Sequence, residues 1–125
     1  MVSRVQNAGL ARITSLLAAA SWWLQWGTGS AAAATANVVT TTTTTEARVS
    51  ATPAQGTTTV TNDKIVFTGT VTAAGTRAIT EVGVFDAAGS GSPPTGGNMD
   101  VYGDFSAINL ASGDSIAFTI NVTFS

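Results

Sequence analysis

The chain carries no cysteine and no histidine. Their absence removes disulfide frameworks, Cys/His zinc sites, thiol nucleophiles and Ser-His-Asp triads from consideration. Charge is also scarce: five basic and seven acidic residues make up 10% of the sequence, against about 25% in ordinary globular domains. The net charge is −2, and Arg4, Arg12, Arg48, Lys64 and Arg77 are scattered. No basic face follows from that distribution, so nucleic acid is not expected as a partner. Long apolar runs are missing too. The stretch from Ile13 to Trp26 falls short of the roughly 20 residues that a bilayer core requires, and no membrane partner is expected. A fold of 125 residues without covalent staples must rely on its core, on partner chains, or on both. A surface this poor in charge is kept in solution by Thr, Ser, Asn and Gly, or is covered by neighbours.

The N-terminal region reads as a helix. Val5, Leu10, Ile13, Leu16, Leu17, Ala20 and Leu24 recur near a 3.6-residue period through the first 26 residues. Trp22, Trp23 and Trp26 close the run, and Gly27-Thr28-Gly29 stops it. Three readings compete for it. A basic start, an apolar stretch and the small residues of Ala31–Ala36 fit a cleavable leader. A membrane helix is the second reading, and it is short for that role. The third, adopted as the expectation, is a docking helix over residues 1–29, apolar on most sides because other protein covers it. Its interface residues are then Leu10, Ile13, Leu16, Leu17, Trp22, Trp23, Leu24 and Trp26, with Trp favoured as an interface anchor. The plainer alternative is a helix packed on its own β domain. Sequence alone does not separate cover from within the chain and cover from outside it.

Residues 30–45 are Ala- and Thr-rich, and no charge occurs between Arg12 and Glu46. Thr is β-branched and favours extended backbone, so this stretch is expected to form an extended arm, with a disordered spacer as the alternative. From residue 46 to 125 the pattern is β. Ser115–Phe124 alternates strictly, with Ile116, Phe118, Ile120, Val122 and Phe124 on one face. Lys64–Thr72 and Ala78–Phe85 alternate less cleanly. The parity switch between Ile79 and Val82 predicts a bulge near Glu81. Glu46–Thr52, Gln55–Thr61 and Met99–Ser106 are weaker strands. Asn62-Asp63, Ala73-Ala74-Gly75 and Ser112-Gly113-Asp114 read as turns, and residues 87–98 as a long surface loop. The expected fold is mainly β: an antiparallel sandwich or jelly roll with an N-terminal helix and an extended arm. Removal of residues 1–30 is then expected to leave the β domain folded.

Little in this chain suggests catalysis. Asp100 and Asp104 would share a strand face about 13 Å apart, with no aromatic groove between them to hold a sugar. No catalytic residue, metal ligand or cofactor is expected. Asp63, Asp86 and Asp114 sit at turns, where Asp caps the backbone. Glu81 lies inside an apolar strand. It is read as a solvated side chain at a bulge, with a partly buried pair to Arg48 or Arg77 as the sharper alternative.

The strings Trp26-Gly27-Thr28-Gly29, residues 61–87 (TNDKIVFTGTVTAAGTRAITEVGVFDA) and residues 105–124 (FSAINLASGDSIAFTINVTF) together resemble small tailed-bacteriophage virion proteins. The segment ITEVGVFD is also similar to segments of phage tail-fibre and baseplate proteins. The likeness covers roughly residues 26–125 and implies a virion location and a structural role. The Ala/Thr-rich segment departs from the charged segment of such relatives. Within this resemblance the favoured expectation is a capsid cement (decoration) protein. Such a protein would act as a homotrimer and pack on the major capsid or another virion protein. A tail-fibre or baseplate component is the alternative, and a secreted adhesin or carbohydrate-binding β domain the second. No enzymatic activity is expected.

Overall fold

The computed structural model describes residues 1–29 and 45–125. The arm expected over residues 30–45 lies, apart from Thr45, outside them. Among the described residues one helix, α1 (Asn7–Ala19), precedes six strands: β1 (Trp22–Gly27), β2 (Val49–Gly56), β3 (Lys64–Thr72), β4 (Arg77–Phe85), β5 (Met99–Leu110) and β6 (Ser115–Thr123). All pairings are antiparallel, and the strand order is β5-β4-β1-β2-β3-β6. The mainly β class and the N-terminal helix are as the sequence indicates.

The sheet is nearly closed because β2 serves two neighbours in turn. Its first residues, Val49 to Ala51, pair with β1, and Thr52 to Gly56 pair with β3. Pro53, which lacks an N–H, sits just past this switch. The strand therefore carries the chain from one half-sheet to the other, as at the corners of packed sheets. The halves β5-β4-β1 and β2-β3-β6 enclose two adjoining apolar clusters. One holds Trp22, Leu24, Ala51, Ile65, Phe67 and Val84, with Leu17 and Ala18 of α1 packed on it. The other holds Trp26, Val71, Ala73, Ile79 and Leu110. The Phe105 and Phe118 rings meet at 6.2 Å, which brings the two edge strands β5 and β6 to the same side of the molecule.

The N-terminal reading needs correction. The helix ends at Ala19, and the tryptophan run is a strand in the middle of the sheet. The residues allow both readings: Trp22, Leu24 and Trp26 are spaced two apart, which suits a strand face, while the preceding leucines suit a helix. Trp is bulky and loses χ1 freedom in a helix, and burial between two half-sheets decides for the strand. Trp22 and Trp26 point into the core at 8% and 1% exposure. The strand candidates Glu46–Thr52 and Gln55–Thr61 resolve into the single strand β2, and β5 runs on to Leu110.

Helix α1 packs on β2 and β3. Its inner side is Leu10, Thr14 and Leu17, at i, i+4 and i+7. Thr14 is fully buried. Its hydroxyl donates to the Asn62 carbonyl at 2.7 Å and accepts from Gln55 Nε2 at 2.9 Å. Trp22 Nε1 donates to the Leu17 carbonyl at 2.7 Å, fastening the helix end to β1. Gly69 faces the core, and Leu24 fills the space: a Cβ on Gly69 would lie 2.8 Å from Leu24 Cδ1.

Candidate functional site

The expected interface residues are mostly occupied within the chain. Leu10, Trp22, Leu24 and Trp26 are buried, while Ile13, Leu17 and Trp23 are half-buried. Among the expected set, Leu16 stands out at 67% exposure. The cover for this stretch comes from this chain's own sheet, which corresponds to the plainer of the two helix readings. Among the described residues, no helix is long and apolar enough to cross a membrane.

The face of β4 and β1 away from the core carries a second, polar construction that the sequence barely signalled. Gln25, Glu81, Gly83, Phe85 and Tyr102 share it by register: Gln25 is opposite Gly83, and Gly83 opposite Tyr102; Arg48 joins them through its contacts with Gln25 and Phe85. Arg48, 7% exposed, lies over the Phe85 ring with Cζ 3.8 Å from its centroid. Its Nε donates to Gln25 Oε1 at 2.8 Å, and Nη1 donates to the carbonyls of Ala87 and Gly96 at 2.9 and 2.8 Å. Gln25 Nε2 reaches the Pro94 carbonyl at 3.4 Å. These bonds hold the loop between β4 and β5 against the sheet from beneath. Burial pulls the Arg48 guanidinium below its ordinary value, and the Asp86 charge pulls it back. The loop is closed on itself by mutual Ser90 and Thr95 backbone bonds at 3.0 and 2.9 Å. Its outer residues, Ser90 to Pro93 and Thr95 to Asn98, are exposed.

Glu81 departs from both of its sequence readings. It is fully buried rather than solvated. Arg48 and Arg77 are engaged elsewhere, Arg77 with Glu46 at 3.1 Å. Glu81 instead accepts from the Tyr102 hydroxyl at 2.9 Å and from the Gly29 N–H at 3.2 Å. Gly27 lies opposite it on β1, and any side chain there would collide with the Glu81 carboxyl. The adjacent Thr80 hydroxyl donates to the Gly29 carbonyl. The register shift between Ile79 and Glu81 is where the parity switch placed it.

The other carboxyl groups serve local backbone. Asp63 accepts from the N–H groups of Thr58, Thr59 and Val60 at 2.7, 3.0 and 3.0 Å. The Val60 and Thr59 bonds hold it below the usual carboxylate range. Asp86 is held low by the backbone and side-chain donors of Asn98. For Glu46, burial pushes upward, but the Ala74 N–H, its own N–H, Trp26 Nε1 and Arg77 bring it below its ordinary value. Asp100 is raised by partial burial and by Asp86. Asp100 is also the extra residue between the pairs Val84–Val101 and Phe85–Met99, so it does not keep the alternating spacing to Asp104 that a regular strand gives. Among the described residues, no three or more Asp, Glu, His or Cys gather as metal ligands would. Open depressions beside α1 are lined by residues such as Ala8, Ala11, Val60 and Thr61, without carboxyl or aromatic groups.

These features describe a β module in which the carboxyl groups of Asp63, Asp86 and Glu81, together with Arg48, hold the chain's own backbone and side chains. Over residues 6–123 the sequence matches the family of the podophage GP4 fiber I protein gp80, and the chain belongs to that family. It is therefore a phage structural protein and a virion component. Comparison with curated proteins and with solved structures finds no match.

Proposed function

We propose that this protein is a non-enzymatic building unit of a phage fibre, acting by packing against copies of itself or neighbouring virion proteins. The family match carries the reading: residues 6–123 take in helix α1 and all six strands, so the whole folded unit is what the fibre family shares. The capsid-cement placement favoured by sequence receives no specific support from that family. A fibre unit needs a rigid body and exposed surfaces, and both are present: a stapled loop on one face and, among the described residues, an open β6 edge with its outward-facing residues exposed. The test is to separate tails from shells in purified particles and quantify this chain in each by peptide mass spectrometry. It is expected with the tail fraction at low copy number. Recovery on shells, in numbers comparable to the capsid protein, would overturn the fibre placement.

A further inference from the structure

We propose that β6 is a self-association edge, by which two copies of this chain join their sheets antiparallel about a two-fold axis through Thr119. The pairing of β6 leaves one set of its backbone groups open. β6 pairs with β3 without interruption, from Lys64 opposite Thr123 to Thr72 opposite Ser115. At the ends of this ladder the Phe124 N–H donates to the Asp63 carbonyl, and the Ala73 N–H to the Asp114 carbonyl. In an antiparallel ladder, residues alternate between bonding the neighbour and facing away. Even-numbered residues of β6 therefore bond β3. Ser115, Ala117, Thr119, Asn121 and Thr123 turn their N–H and C=O groups to the open edge, and all of them are exposed.

Nothing along this edge discourages pairing. Folded proteins blunt free edges with charges, prolines, bulges or short strands. β5, the opposite edge, carries Asp100 and Asp104 and lies along two register shifts. β6 has no charged residue, no proline and no register shift. Its inner residues Ile116, Phe118, Ile120 and Val122 pack on the core clusters yet are only half-buried, so a strand laid alongside would remove more apolar surface from water.

The occupant that fits is a second copy. A two-fold axis makes each residue number pair with its mirror about the centre, and hydrogen-bonded partners must both be odd-numbered. Centring on Thr119 uses the full strand. Thr119 faces itself, Ala117 faces Asn121, and Ser115 faces Thr123. On the core side Ile116 meets Val122, and Phe118 meets Ile120. Every outward backbone group from Ser115 to Thr123 gains a partner, and no like charges are brought together. The arrangement is isologous and closes at two copies.

The full-length protein tests this by sedimentation velocity and by cross-linking. The wild type is expected to sediment as a dimer at high micromolar concentration. Thr119→Lys places two ammonium groups opposite each other on a residue exposed in the monomer. It should weaken association on the order of tenfold or more, with an unchanged circular dichroism spectrum. Thr119→Cys, the sole cysteine of such a chain, should form a disulfide-linked dimer under mild oxidation, because directly opposed residues lie within bridging distance. Thr68→Cys, one strand inward and also exposed, should not. A monomeric wild type, an oligomer indifferent to Thr119→Lys, or failure of Thr119→Cys to cross-link would each overturn the proposal. If Thr119→Lys misfolds, the cysteine variants decide. A monomer would sink this edge assignment while leaving the fibre reading standing, since that reading rests on the family.

Discussion

At the scale of single residues, the most consequential contact is the one between Glu81 and Tyr102. A buried polar group deprived of its donor costs about 1–3 kcal/mol, against roughly 1 kcal/mol for the net worth of an average hydrogen bond. Tyr102→Phe keeps the ring and removes the donor, so it should destabilise the fold by about that amount, measured as a lower urea midpoint at unchanged slope. An equal midpoint in wild type and variant would show that the bond contributes nothing. In the sequence Glu81 stands out as an acidic residue inside an apolar strand, but its partners are not legible there. Tyr102 is 21 positions away in sequence, and Gly27 gains meaning only when β1 lies beside β4.

At the scale of elements, β1 changes what a truncation does. A helix and tryptophan cluster that merely docked elsewhere would be dispensable for folding. Instead β1 sits between β4 and β2 and contributes Trp22, Leu24 and Trp26 to the core clusters. Deleting residues 1–29 should therefore abolish cooperative unfolding, because large-to-small changes at single core aromatics already cost about 3–5 kcal/mol. Deleting only residues 1–19 removes α1 and leaves β1 in place. That variant should stay folded but lose stability, because the cluster of Trp22, Ala51 and Phe67 on which Leu17 and Ala18 pack is uncovered. Thermal unfolding of the two truncations separates these outcomes. A cooperative transition in the longer deletion would contradict the central placement of β1.

At the scale of the whole molecule, the pH dependence follows from where the carboxyl groups are held. Asp63, Asp86 and Glu46 lie below their ordinary values. A depressed group contributes stability above its unfolded value and loses it as pH falls through its folded one. Stability should thus decline below about pH 4, the ordinary carboxylate range. Asp100, raised by burial and Asp86, acts in the opposite sense, since its contribution is present in acid and lost as pH rises. It is one group against three, so the acid side should dominate. Asp63→Asn should lower the melting temperature near neutrality and flatten its fall in acid. A parallel, equally steep acid profile in this variant would show that Asp63 is not among the groups responsible.

The sequence by itself determined the β class, the strands β3, β4 and β6, the turns between them and the bulge near Glu81. These depend on two-residue alternation and turn chemistry that act over a few neighbouring residues. It also determined the absence of histidine and cysteine chemistry. Only the tertiary structure decided that Trp22 to Gly27 is a central strand, that Arg48 holds the loop over residues 87–98, and that Glu81 is buried with Tyr102. A short apolar run suits helix and strand alike until a partner surface selects one. A buried carboxyl group is tolerated only where other segments supply its hydrogen-bond partners.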